Sequence, residues 1–303
     1  MNNTVFIPGD VPLVAQERFR HNYNRLTRTT QRAIIVAYDH KIEHLNDDFI
    51  GPTIPASVNE PEHIFSIVEQ AGIGTLATQP GMIARYAMLY PTIPYIAKLN
   101  SKTNIVGTDT QDPYSAQLWS VEQVLQLVTQ MNIEIIGVGY TIYLGSSYED
   151  RMLQQAATII NQAHAHGLIA TLWIYPRGKA IQEPHSARML IGAAGVANAL
   201  GADFVKLQMP LSAIAPSPYA TVALAAQAAG NTKIIASGGT RIEPAKYLQT
   251  VYDQITYGNC SGIAVGRNVY QHTIPDAVNI IRAAAAIVYD DCSVDNAIEL
   301  LTQ

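Results

Sequence analysis

Lys206 stands in the apolar run Asp203-Phe-Val-Lys-Leu-Gln-Met-Pro210, a setting in which a solvated ammonium does not belong. Burying that charge is costly unless it is paired, and burial lowers the pKa toward the neutral amine that can attack a carbonyl carbon and form a Schiff base. The chain has seven lysines. Lys41 lies in the first loop, Lys102 and Lys179 fall in turn-like stretches, Lys246 in a helical pattern and Lys233 at the entrance to an apolar run, which leaves Lys98 as the other lysine inside an apolar segment. Either of the two could instead be a snorkelling stem or half of a structural ion pair. The neighbouring motifs decide between these roles.

Tyr175 belongs to Trp173-Ile-Tyr-Pro-Arg-Gly178. On a strand, positions 173 and 175 share a face, so the phenol and the indole point the same way. A phenol beside an amine or iminium can give and take a proton, and Trp173 can form an apolar wall; both can also be plain core aromatics. Asp39 ends Ile35-Val-Ala-Tyr-Asp39, where an acid can orient hydroxyl groups, pair with a lysine, assist proton transfer or cap the next turn.

Ser237-Gly238-Gly239 and Gly266-Arg267-Asn268 end two successive apolar runs. A lone Gly-Gly is usually a tight turn, but two such loops in adjacent positions suit a phosphate, with backbone N–H groups and the Arg267 fork on its oxygens. His40-Lys-Ile-Glu-His44 has the spacing of the zinc motif H-x-x-E-H. That motif needs a helix, and here it follows a strand directly. No metal site is therefore expected, and Glu43 and His44 are assigned to hydrogen bonds within this loop or to the second phosphate end of a substrate.

These residues need a scaffold that brings strand ends together. Apolar runs at Ala33–Asp39, Thr75–Gln79, Ile93–Asn100, Ile133–Tyr140, Leu168–Tyr175, Asp203–Met209, Lys233–Gly239 and Gly262–Asn268 alternate with helical patterns at Pro61–Gln70, Val121–Met131, Tyr148–His166, Ala187–Leu200, Pro218–Ala229 and Pro244–Tyr252. Eight strands alternating with helices predict an α/β chain folded as a single (β/α)8 TIM barrel. An open doubly wound sheet would carry G-x-G-x-x-G after its first strand, and none follows Asp39. In a barrel the chemistry gathers at the C-terminal strand ends, where Asp39, Lys98, Tyr175, Lys206, Ser237 and Arg267 fall. Residues 1–30 read as an N-terminal extension that caps the barrel or contacts another subunit, and residues 31–303 as the catalytic domain.

Composition excludes several classes. With 303 residues, 48% hydrophobic and 14% charged, the chain can fill one large core. A net charge of −5 leaves no basic footprint for nucleic acid or an anionic membrane, and no apolar run reaches membrane-span length. Cys260 and Cys292 lack close metal-ligand spacing, and no basic segment followed by a long apolar stretch opens the chain, so a cytoplasmic location is expected.

Taken together, Asp39-His-Lys-Ile-Glu-His44, Gly81-Met82, Ala97-Lys-Leu-Asn100, Thr141-Ile-Tyr143 with Gly145-Ser146, Trp173 to Gly178, Gly201-Ala-Asp-Phe-Val-Lys206, Ser237-Gly-Gly239 and Gly266-Arg-Asn268 make the chain resemble the class I fructose-bisphosphate aldolases of the archaeal and bacterial DhnA type over nearly its whole length. The resemblance implies a cofactor-free aldolase that cleaves fructose 1,6-bisphosphate reversibly into dihydroxyacetone phosphate and glyceraldehyde 3-phosphate. It further implies a Schiff base on Lys206, Tyr175 carrying protons, Asp39 at the reacting centre, Trp173 lining it, and Ser237, Gly238, Gly239, Gly266 and Arg267 holding a phosphate. Lys98 is expected as an auxiliary cation that depresses the Lys206 pKa or pairs with Asp39, and His44 as a substrate contact. The partner is a phosphorylated sugar, the reaction one of glycolysis and gluconeogenesis, and the assembly a homo-oligomer. Lys41 departs from the family, which usually has a small residue there, and is expected to bind the distal phosphate or reshape the pocket. The alternatives are a related lysine-dependent aldolase, transaldolase or acyltransferase on another phosphorylated ketone, and a phosphosugar-binding barrel without turnover.

Overall fold

The computed structural model describes residues 4–210 and 216–302. Eight strands, rich in β-branched or small apolar residues and mostly buried, pair in parallel and in chain order: β1 (Ala33–Ala37), β2 (Thr75–Thr78), β3 (Tyr95–Lys98), β4 (Ile135–Leu144), β5 (Ile169–Pro176), β6 (Phe204–Leu207), β7 (Lys233–Ser237) and β8 (Gly262–Val265). The ring closes through β1 and β8, with Ala33 opposite Gly262 and Val36 opposite Val265. This is the (β/α)8 barrel that the alternation predicts, since a parallel sheet needs both faces covered and closure removes its edges.

The core has two parts. Outward-facing strand residues such as Ile34, Val36, Leu76, Val138 and Val205 pack under the surrounding helices. Inward-facing residues, among them Ile35, Ile96, Ile136, Ile169, Phe204 and Ile235, fill the barrel and are continuous with Val5, Val11, Phe19, Tyr23 and Leu26 from the N-terminal segment. Helix α1 (Gln16–Thr27) presents the last three of those, so its apolar stripe adds side chains to the barrel interior. His164, wholly buried, is bonded to Asp10 at 2.8 Å and to Asp203 at 3.2 Å, and Asp203 also accepts the Ala170 N–H at 2.8 Å. One imidazole thus joins the N-terminal segment to the start of β6.

Several boundaries differ from the sequence expectation. β1 stops at Ala37, and His40–Glu43 forms a one-turn helix, α2, so the H-x-x-E-H segment is helical after all. Four residues are too few to show a 3.6-residue period. β4 continues to Leu144 because its pairing with β5 runs on from Tyr140 opposite Leu172 to Leu144 opposite Pro176. β8 ends at Val265, and Arg267 and Asn268 open a helical turn, Arg267–Tyr270, instead of extending the strand. The helix expected to end at Tyr252 reaches Thr256.

Candidate active site

The C-terminal strand ends surround an open-mouthed cavity lined by Asp39, His40, Glu43, His44, Tyr175, Arg177, Lys206, Gln208 and the two glycine loops. Lys206 enters it from β6 and is only 6% exposed. Burial lowers its pKa; Asp39 and Glu43 pull the other way, and Arg267 adds a like charge that lowers it further. The cavity wall therefore carries an amine held toward its neutral, nucleophilic form.

Asp39, just past β1, has Oδ2 3.8 Å from the Lys98 ammonium and Oδ1 3.7 Å from His40 Nδ1. Burial alone would raise its pKa, but His40, Lys98 and Lys206 together hold it below the ordinary carboxylate value. Lys98 and Trp173 do not line the cavity: they lie beneath it, with the ammonium 4.8 Å from the indole ring centre and hydrogen-bonded to Thr141. The Trp173 indole needs the space left by Gly139, where a β-carbon would come within 2.6 Å of the ring. Burial first brings the Lys98 amine down to about 8, Lys98 and Lys206 repel one another, and Arg267 adds a further like charge on Lys206. Lys98 also makes the ion pair with Asp39.

Trp173 is the register partner of Lys206, which puts Tyr175 two residues further along β5 at the cavity wall. Burial, then Glu43 and Asp39, raise the Tyr175 pKa, so the phenol holds its proton at neutral pH. Glu43 Oε1 accepts the Tyr143 hydroxyl at 2.8 Å and lies 3.5 Å from Arg177 Nη1. The Arg177 guanidinium in turn lies 5.3 Å from the Tyr143 ring centre and 5.9 Å from that of Tyr175. From the sequence, Glu43 was a loop contact or a contact to the second phosphate end, and Arg177 and Tyr143 had no role. The partners are 134 and 100 positions apart, so spacing could not reveal them.

Across the cavity, Ser237, Gly238, Gly239, Gly266 and Arg267 come together on its wall. Gly239 has φ of 69°, a conformation that a β-carbon disfavours. Asn268 stitches the loops, donating to the carbonyls of Gly238 at 2.9 Å and Thr240 at 3.1 Å and accepting the Ile242 N–H at 2.9 Å. His44 shares the Asp48 carboxylate with Arg267, so it lies on this side of the cavity and not at an opposite end. Lys41 points elsewhere: it donates to Asn46 Oδ1 at 2.8 Å and the Asn59 carbonyl at 2.9 Å, and its amine lies 4.4 Å from the Phe49 ring centre. It is not among the cavity residues, contrary to the role expected for it. Although α2 is helical, the described residues contain no group of three or more His, Cys, Asp or Glu side chains placed to hold a metal ion. Nor is any helix among them long and apolar enough to cross a membrane.

A barrel with a buried, pKa-lowered lysine at its C-terminal mouth defines a class of protein, the Schiff-base lyases. Residues 33–272 match the model of the DeoC/LacD family aldolases, and the chain belongs to that family. It is 43% identical over 296 residues to the fructose-bisphosphate aldolase/6-deoxy-5-ketofructose 1-phosphate synthase of Methanocaldococcus jannaschii, covering 98% of this chain and 94% of that protein. It is 32% identical over 258 residues to the class 1 fructose-bisphosphate aldolase of Thermoproteus tenax, covering 85% and 90%. Among solved structures, a fructose-bisphosphate aldolase from Slackia heliotrinireducens superimposes with a TM-score of 0.97 at 43% identity, covering all of this chain and 95% of that one. An archaeal fructose-1,6-bisphosphate aldolase, solved with its catalytic lysine covalently bound to the carbinolamine intermediate, gives 0.76 at 31% identity over 89% and 99%. The protein is a class I aldolase.

Proposed function

We propose that this aldolase cleaves fructose 1,6-bisphosphate reversibly into dihydroxyacetone phosphate and glyceraldehyde 3-phosphate, with Lys206 as the Schiff-base residue. The observation that carries the reading is the placement of an amine of lowered pKa on β6, between Arg177 at the end of β5 and the glycine loops with Arg267 after β7 and β8. A bisphosphate needs a cation toward each end and a nucleophile between them.

In this reading the neutral Lys206 amine adds to the substrate's C2 carbonyl, and the Tyr175 hydroxyl gives the proton with which the carbinolamine loses water to become an iminium. The Tyr175 phenolate then takes the proton of the C4 hydroxyl as the C3–C4 bond breaks. The bonding pair passes to the iminium nitrogen as an enamine, and glyceraldehyde 3-phosphate leaves. Returning a proton to C3 restores the iminium, and water releases dihydroxyacetone phosphate. Asp39, ionised beside Lys98, offsets the positive charge that comes and goes on the Lys206 nitrogen. Ser237, Gly238, Gly239, Gly266 and Arg267 hold the phosphate next to the ketone, and Arg177 receives the distal one.

Borohydride reduction with dihydroxyacetone phosphate, followed by peptide mapping, tests the assignment. The adduct is expected on Lys206, and Lys206→Ala should abolish turnover with the fold intact; an adduct on Lys98 would refute it. One observation favours a second reading, the synthesis of 6-deoxy-5-ketofructose 1-phosphate named for the Methanocaldococcus relative: Arg177 already faces Glu43, which suits a substrate without a phosphate at that end. Comparing kcat/KM for fructose 1,6-bisphosphate and fructose 1-phosphate separates the two, since a distal phosphate site must favour the bisphosphate.

A further inference from the structure

Asp48 is not among the residues lining the cavity, yet its carboxylate engages two that are. Oδ2 is 2.6 Å from His44 Nδ1 and Oδ1 is 3.5 Å from Arg267 Nη1, while Asp48 itself is 9% exposed. Its backbone is fixed as well: the Asp48 carbonyl accepts from Gln271 Nε2 at 2.7 Å, and the Gln271 carbonyl accepts from Arg241, which also donates to the Thr53 carbonyl at 3.0 Å. Asp48, after β1, lies 219 positions from Arg267, after β8, and its single carboxylate joins Arg267 to His44.

A buried carboxylate beside an anion site would repel the anion if it faced it. Here one oxygen is turned to the His44 ring and the other to the Arg267 guanidinium, which orients both groups and lowers the entropy they lose on gripping a ligand. With Nδ1 bonded to Asp48, the imidazole keeps Nε2 for the cavity. We infer that Asp48 is a positioning residue that sets His44 and Arg267 as a paired clamp on the substrate phosphate next to the reacting ketone, an inference that rests on the proposed aldolase reading. The groups facing His44 are Asp48 and Glu43, which favour its charged form, Arg267, which opposes it, and the His40 ring, whose centre is 5.4 Å away. Those around Asp48 are His44, Arg267, His40 and Tyr270. The hydrogen bond to Asp48 is the first cause raising the His44 pKa, so the clamp carries more charge with Asp48 than without it.

The test is borohydride trapping on Lys206 of the full chain with dihydroxyacetone phosphate and with dihydroxyacetone, which lacks the phosphate. Asp48→Asn should raise the half-saturating concentration of the phosphorylated ketone about tenfold, the equivalent of about 1.4 kcal/mol, and leave that of dihydroxyacetone unchanged. The pH above which trapping of the phosphorylated ketone weakens should move down, because His44 loses the partner that keeps its proton, and Asp48→Glu should restore part of the affinity. An equal loss for both ketones would mean that Asp48 only supports the fold, and no loss for either would also overturn the inference. If Asp48→Asn does not fold, Asp48→Ser carries the same comparison, and an unselective effect there overturns the paired clamp. Failure of the unaltered protein to trap dihydroxyacetone phosphate on Lys206 would instead sink the aldolase assignment itself.

Discussion

Replacing His164 by Gln removes the titrating member of the Asp10–His164–Asp203 link while leaving a side chain that can still donate one hydrogen bond. Burial works against a charge on this imidazole, but Asp203 and then Asp10 outweigh it and lift its pKa from 6.5 to about 9. The folded pKa lies above the unfolded one, so the stabilisation is complete below about 6.5 and is lost as pH rises through about 9. At about 1.4 kcal/mol per pH unit the span is worth about 3 kcal/mol, an upper figure. Asp10, with its side chain 44% exposed, is screened, so most of the effect should come from Asp203, which is 5% exposed. Urea unfolding followed from about pH 6 to about pH 10 should show the unaltered protein losing roughly that much more stability than His164→Gln. Lysines and tyrosines titrate in the same window in both proteins, and the difference between the two curves cancels them. Parallel curves would refute the reasoning and mean that the imidazole is neutral in the fold.

Two further outcomes concern the reaction. Tyr175→Phe should keep Schiff-base trapping but lower kcat by about 10² to 10⁴, the usual contribution of a positioned acid or base, and near-normal turnover would move proton transfer to Asp39. Activity should survive exhaustive dialysis against a chelator, because the iminium supplies the positive charge that stabilises the carbanion; loss that zinc restores would direct attention to His40 and His44.

Lys206 was legible in the sequence because an ammonium inside an apolar run contradicts its surroundings, and Tyr175 because strand parity fixes which way a residue faces. The two loops with Gly238, Gly239 and Gly266 were legible because glycine marks backbone that must approach something closely. What stayed hidden depends on tertiary pairing. Nothing local tells that Glu43 meets Tyr143 and Arg177, that His164 joins Asp10 to Asp203, or that Lys41 turns to Asn46 and Phe49 and away from the cavity. Trp173 shows the limit of parity: it has the same face as Tyr175 but sits deeper, and depth in a barrel depends on the stagger of all eight strands.

The pairing of β1 with β8 has a consequence for the timing of synthesis. A growing chain acquires Asp39 before Lys206, and Lys206 before Arg267, which faces Asp48 across the closing seam. Until β8 docks beside β1, the wall that carries Gly266 and Arg267 does not exist. Lys206 is thus made before both the burial that activates it and the phosphate grip that would retain a substrate beside it, and the last barrel strand to leave the ribosome completes the barrel and the site together.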